Sequence, residues 1–176
     1  DGTLAHSVAR VRAAREGLAD DIEIMCDAHG TFSVAEAKRF CREVAECNIG
    51  WLEEPVVADD KRGMAEVRAS TDIPISTGES EFTRFAFRDL AELRACDIFQ
   101  PDLSICGGVT EAMRIEAIAS AYQLRYAPHL WGGALTFASG LHTMVVASTG
   151  FIVEYSLGAN PMLHELAVED FTIVDG

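Results

Sequence analysis

Two hydrophobic rhythms take turns along this chain. Residues 5–18 repeat at the helical period, with Val8, Val11 and Ala14/Leu18 on one face. Ile22 to Cys26 is a short apolar run that predicts a strand ending at Asp27. A helix follows, with Ser33 and Glu36 in the spacing of a capping box and Val34, Ala37, Phe40/Cys41 and Val44 as its stripe. The pattern then repeats. Strands are predicted at 50–52, 73–77, 97–101, 124–128 and 151–153, and helices at 59–69, 84–94, 109–120 and 134–147. Each strand closes at or near a polar residue, in turn Asp27, Glu53, Glu79, Asp102, His129 and Glu154.

Strands alternating with helices imply a parallel sheet with helical crossovers, an α/β fold. The strand ends fall 23 to 27 residues apart. Such an even unit fits a (β/α) barrel better than a doubly wound sheet, where strand order reverses at an irregular step. Six strands are short of the usual eight, and the opening DGTLAHS reads as a loop after a strand. The expectation is therefore an incomplete TIM-type barrel over residues 1–156, with its first two strands upstream of residue 1. Residues 157–176 form a C-terminal segment, where alternating Phe171, Ile173 and Val174 look like the start of a strand of another subdomain.

Composition narrows the partners. The 176 residues are 49% apolar and 24% charged, which is globular. The formal charge is -14 with no basic run, so neither nucleic acid nor an anionic membrane is an expected partner. Leu130 to Val153 lacks Asp, Glu, Lys and Arg, but Gly132, Gly133, Ser139, Gly140, His142, Thr143, Ser148, Thr149 and Gly150 interrupt it, so it reads as a buried helix, a turn and a strand. The five cysteines form no CxxC pair and read as apolar fillers in a reducing compartment, with the cytoplasm as the expected location.

In a barrel the C-terminal strand ends converge on the functional face. Any one acidic residue there is as readily a cap or a loop residue, but six polar ends at even spacing are harder to dismiss. Asp27, Glu53 and Glu79 come from three successive strands, and three carboxylates together repel one another unless a cation sits among them. Oxygen donors of this kind suit Mg²⁺, whereas zinc more usually recruits His or Cys. Strand parity selects Glu53 over Glu54. Asp102 and His129 end adjacent strands, and a carboxylate beside an imidazole fixes its tautomer and raises its basicity. His129 is then a general base, or else a structural histidine capped by a carboxylate. His29, in DAHG, reads as an acid or substrate contact, or as a loop residue bonded to local backbone. Glu154 reads as a substrate-facing acid or as a buried glutamate. Gly107-Gly108 alone is a weak anion signal, and no nucleotide-binding motif is present.

Five motifs together carry a resemblance: DAHG at Asp27, WLEEP at Glu53, TGES at Glu79, QPDLSICGG at Asp102 and APHLWGG at His129. With this set the chain resembles the mandelate racemase-like branch of the enolase superfamily, and especially its sugar-acid dehydratases. The resemblance implies a barrel with an α+β capping domain that is absent here. It implies Asp27, Glu53 and Glu79 as Mg²⁺ ligands, His129 with Asp102 as a base dyad, Glu154 as a substrate-facing acid and His29 as an acid. The implied reaction removes the proton alpha to a carboxylate through an ene-diolate and dehydrates a polyhydroxy acid to a 2-keto-3-deoxy acid. Racemisation, epimerisation or lactone cycloisomerisation on the same platform is the alternative, and a non-catalytic metal-binding barrel is the third. Members of this branch are often homo-oligomers. The family's second base, in a KxK pattern, would lie upstream of Asp1.

Overall fold

The computed structural model describes residues 3–168 and 171–173. Val174, part of the alternation expected to open a further strand, lies outside them, and Phe171 to Ile173 adopt no regular structure. The chain divides into two compact units, Asp1–Thr77 with Asp89–Ile98, and Gly78–Arg88 with Phe99–Gly176.

The first unit runs α1 (Leu4–Gly17), β1 (Ile24–Asp27), α2 (Val34–Glu43), a 3-10 turn (Ala45–Cys47), β2 (Ile49–Glu53), α3 (Lys61–Arg68) and β3 (Ile75–Thr77). The Thr3 hydroxyl accepts from His6 N and starts α1. The capping box forms on α2 as the spacing required, with the Ser33 hydroxyl and the Glu36 carboxylate each accepting a backbone N–H of the other residue. Its stripe of Ala37, Phe40 and Cys41 is buried, as is Val44 just beyond it. Each large apolar side chain so buried contributes about 1.5–3 kcal/mol relative to exposure. Asp60 begins α3 by accepting from Gly63 N. β1, β2 and β3 are parallel neighbours in that order, with Asp27 opposite Glu53 and Glu53 opposite Ser76.

α4 (Thr83–Glu92) and β4 (Ile98–Phe99) each have residues in both units. The second unit continues with α5 (Val109–Ala121), β5 (Arg125–Tyr126), α6 (Ala134–Val146) and the short α7 (Pro161–His164). Beside β5, Ala127 N and His129 N donate to Phe99 O and Pro101 O at 3.0 and 3.2 Å, so pairing extends past the ends of both strands. Leu130, Phe137 and Leu163 form a core cluster with Leu141, Val153, Tyr155 and Phe171 packed on it.

The fold is therefore α/β with parallel strands and intervening helices. One element differs from the sequence expectation. Residues 151–153 form no strand, and a single parallel bridge, Tyr126 to Gly150, stands in its place. The chain there is held by side chains instead, with Val153 and Tyr155 packed on the Leu130 cluster and the Glu154 carboxylate bonded to Leu130 N. Among the described residues no helix is long and apolar enough to cross a membrane. The five cysteines are free thiols.

Candidate active site

In the first unit the β1–β2 register sets two carboxylates side by side. Asp27 and Glu53 are direct partners at the C-terminal ends of their strands, so their side chains leave the same face of the sheet. Trp51, two residues back on that face, donates its indole N–H to Glu53 Oε2 at 3.2 Å. Ser76 continues the row on β3. Its hydroxyl is buried, with no hydrogen-bond partner among the described residues.

The loops beyond these strands are closed by hydrogen bonds. Asp27 Oδ1 accepts from His29 N at 2.7 Å, which turns the chain back and holds His29 at φ 46. Gly30 N donates to Glu54 O at 2.8 Å. Gly30 has φ +67 and lies so close to Val57 Cα (3.1 Å from where a Cβ would stand) that a side chain there would be crowded. The strand stops at Glu53, and Glu54 has φ 36, so strand parity does not extend to Glu54. Its carboxylate is buried, with the Thr77 hydroxyl donating at 3.5 Å.

In the second unit Glu79, Asp102 and Glu154 gather around the His129 imidazole. His129 Nδ1 lies 2.9 Å from Asp102 Oδ2, and Nε2 lies 3.3 Å from Glu79 Oε2. Glu154 Oε2 accepts from Leu130 N at 2.7 Å, fastening the residue after His129. The other Asp102 oxygen accepts from Ser104 N and from the Ser104 hydroxyl. Burial disfavours charge on His129, but the hydrogen bond to Asp102 and the charges of Glu79, Glu154 and Asp102 prevail, and its pKa rises to about 9. Burial also works against the Asp102 carboxylate, yet the bonds from His129 and Ser104 hold its pKa below the ordinary value. The two shifts agree in describing an ion pair, imidazolium against carboxylate.

The residues fit a hard cation. Within the first unit, Asp27 and Glu53 present carboxylate oxygens in one row with the unsatisfied Ser76 hydroxyl beside them. That donor set matches Mg²⁺ rather than a soft metal. Two participants escaped the sequence reading. Ser104, two residues after Asp102, makes the short turn that aims the carboxylate, and the Asp-x-Ser spacing was its only signal. The Glu79–His129 contact joins segments 50 residues apart and had none.

The whole chain, residues 1–176, matches the family model for enolase C-terminal domain-like proteins. The chain belongs to the enolase superfamily. Within this superfamily it is 34% identical over 176 residues to a D-galactonate dehydratase of Xanthomonas oryzae pv. oryzae (strain PXO99A), covering 97% of the chain and 46% of that protein. A mandelate racemase-like protein of Bordetella bronchiseptica RB50, solved with 2-oxoglutarate and phosphate, superposes with a TM-score of 0.94 at 32% identity, covering 99% of the chain and 48% of that one. An enolase from Bradyrhizobium, solved with magnesium and mandelic acid, gives a TM-score of 0.81 at 30% identity, over 88% of the chain and 42% of that one. This superfamily member thus spans about half the length of the relatives it matches.

Proposed function

We propose that this chain carries the proton-transfer half of an enzyme that abstracts the proton alpha to a carboxylate and dehydrates a sugar acid to a 2-keto-3-deoxy acid. The observation that carries the reading is the His129–Asp102 pair, with Glu79 against the opposite ring nitrogen. Asp102 fixes the tautomer and raises the basicity of the ring, so Nε2 is the atom that takes and returns a proton. The relatives named as dehydratases support dehydration as the outcome.

Asp27, Glu53 and Glu79 are the proposed ligands of Mg²⁺, which when bound stabilises negative charge developing on a substrate carboxylate. Were Glu79 to hold a cation, its charge would bear less on His129, and the ring would lie closer to the range where a neutral imidazole serves as base. His129 Nε2 removes the α-proton. The β-hydroxyl leaves as water on receiving a proton from His129, or from His29, whose backbone N–H is bonded to Asp27 Oδ1. The enol that remains tautomerises to the keto acid. Glu154 keeps the backbone beside His129 in place and adds negative potential there.

Racemisation or cycloisomerisation shares the first step, and the Bordetella protein favours it as a second reading. A panel of polyhydroxy acids assayed for 2-keto product with the full-length protein and Mg²⁺ decides between the two. Keto acid formation supports dehydration. Exchange of the α-proton with solvent deuterium and no keto acid supports the second reading. Neither result with any acid sinks both and leaves a metal-binding barrel.

A further inference from the structure

Gln100 is buried at 4% exposure, and its Oε1 accepts no hydrogen bond among the described residues. The direction it points follows from the ladder. Pairing of 99–101 with 127–129 keeps this segment extended, so side chains alternate between two faces. Phe99 meets Phe87 of α4 edge-on with centroids 5.0 Å apart, and Tyr126 Oη lies 3.4 Å from Thr143 of α6. Phe99 and Tyr126 therefore face the helices. Gln100 and Asp102, like Ala127 and His129, face the other way, and there Asp102 and His129 meet. Gln100 sits one pleat below that pair. Ala127, its neighbour across the ladder on that face, ends at Cβ and offers no donor.

A buried amide oxygen left without a donor is costly, and such groups in folded proteins have a reason. We propose that Gln100 is a specificity-determining residue whose Oε1 accepts a hydrogen bond from a hydroxyl of the bound polyhydroxy acid. This rests on the reading of the site as one for hydroxylated carboxylic acids. The chemistry favours a hydroxyl over a charged group. Oε1 is a neutral acceptor and repels a carboxylate, and the nearby Asp102, Glu79 and Glu154 already crowd negative charge around His129. A hydroxyl donates one hydrogen bond and adds no charge.

The test uses the full-length protein with Mg²⁺, and compares aldonic acids with their 4-, 5- and 6-deoxy counterparts. Wild type is expected to prefer the hydroxylated acid over one deoxy analogue by about 10-fold in kcat/KM. In Gln100→Met, similar in length but without the acceptor, that preference falls to about 1-fold, while activity on the deoxy analogue is kept. Gln100→Leu, which also lacks the acceptor, is expected to lose the preference in the same way, which keeps the idea testable where the Met variant does not fold. An equal loss on every acid, or no change on any, overturns the assignment and leaves Gln100 a structural residue or a water ligand. Should wild type form no keto acid yet exchange α-protons, the dehydratase reading fails, and the same comparison of exchange rates still judges Gln100. Wild type inert toward every acid in both assays overturns the assignment together with the reading it rests on.

Discussion

His129 Nε2 lies 3.3 Å from the Glu79 carboxylate, so a side chain proposed as a metal ligand also touches the proposed base. The contact couples the charge state of the ring to whatever occupies Glu79. It also places the ring between two acids, because Asp102 holds Nδ1.

The first prediction is a titration. The His129 pKa is raised from its ordinary 6.5 to about 9 in the folded chain. A group whose folded pKa is raised stabilises the fold fully below its unfolded pKa, and the contribution fades as pH climbs through the folded value. His129 should therefore favour folding below pH 6.5 and lose that effect between 6.5 and about 9. The stability gap between wild type and His129→Asn should shrink over that window in denaturant titrations. NMR of the ring should show protonation persisting near pH 8 without metal, and Mg²⁺ should move the transition down. A transition unmoved by saturating Mg²⁺ would separate Glu79 from the metal.

Asp102→Asn removes the charge that fixes the ring. Its expected effect is a fall in kcat of about 10²-fold or more, with KM nearly unchanged, because orientation and basicity of the base matter most in the transition state. The ring pKa should fall with it, since the hydrogen bond to Asp102 does most to raise it. Ser104→Ala removes one hydroxyl from the other Asp102 oxygen and should cost about 10-fold or less. A KM effect larger than the kcat effect in Asp102→Asn would move the residue from proton transfer to binding.

The Asp27–Glu53 row predicts metal affinity. Glu53→Gln and Asp27→Asn keep shape and remove charge, and each should weaken Mg²⁺ binding by about 100-fold or more in calorimetry, above the range seen when only an outer partner of a ligand is lost. Chelator treatment of wild type should reproduce their loss of activity, and added Mg²⁺ should restore wild type at concentrations that leave the variants inactive. Wild-type affinity in both variants would remove the row from the metal site.

Much of this architecture was legible in the sequence because period and spacing are local. The Ser33–Glu36 box, the α2 stripe and the strand ends at Asp27 and Glu53 need only a few consecutive residues to show themselves. Glu53 and Glu54 were separable by parity up to the end of β2, and no further, because Glu54 turns into the left-handed region. Contacts that depend on three-dimensional closure were not legible. Glu79 meeting His129, Glu154 bonding Leu130 N and the orphaned Gln100 oxygen all join or isolate groups in ways that no local pattern encodes. The expected strand at 151–153 failed for a related reason. Its apolar run was real, but Val153 and Tyr155 use it for packing on Leu130 and Phe137 rather than for a ladder.

Gly78, immediately before Glu79, offers a test of how tightly the second unit holds its acid. Its φ is +138, a conformation that side chains rarely adopt, and an added Cβ would stand 2.7 Å from Phe87 Cε1 and 3.1 Å from the Gln100 carbonyl carbon. Phe87 is fully buried and edge-packed on Phe99, so the ring has little room to yield, and the Gln100 backbone has less. Gly78→Ala should therefore destabilise by about 1–3 kcal/mol and weaken Mg²⁺ binding by displacing Glu79. Phe87→Leu in the same background should recover only the steric part, because the dihedral strain remains. Gly17→Ala is the matched control, with nothing within 4 Å of its added Cβ. It should be neutral or stabilise by up to about 1 kcal/mol through the unfolded state. Equal melting temperatures for the two alanine variants would show that Gly78 is not under constraint, and that Glu79 is positioned by something other than the turn before it.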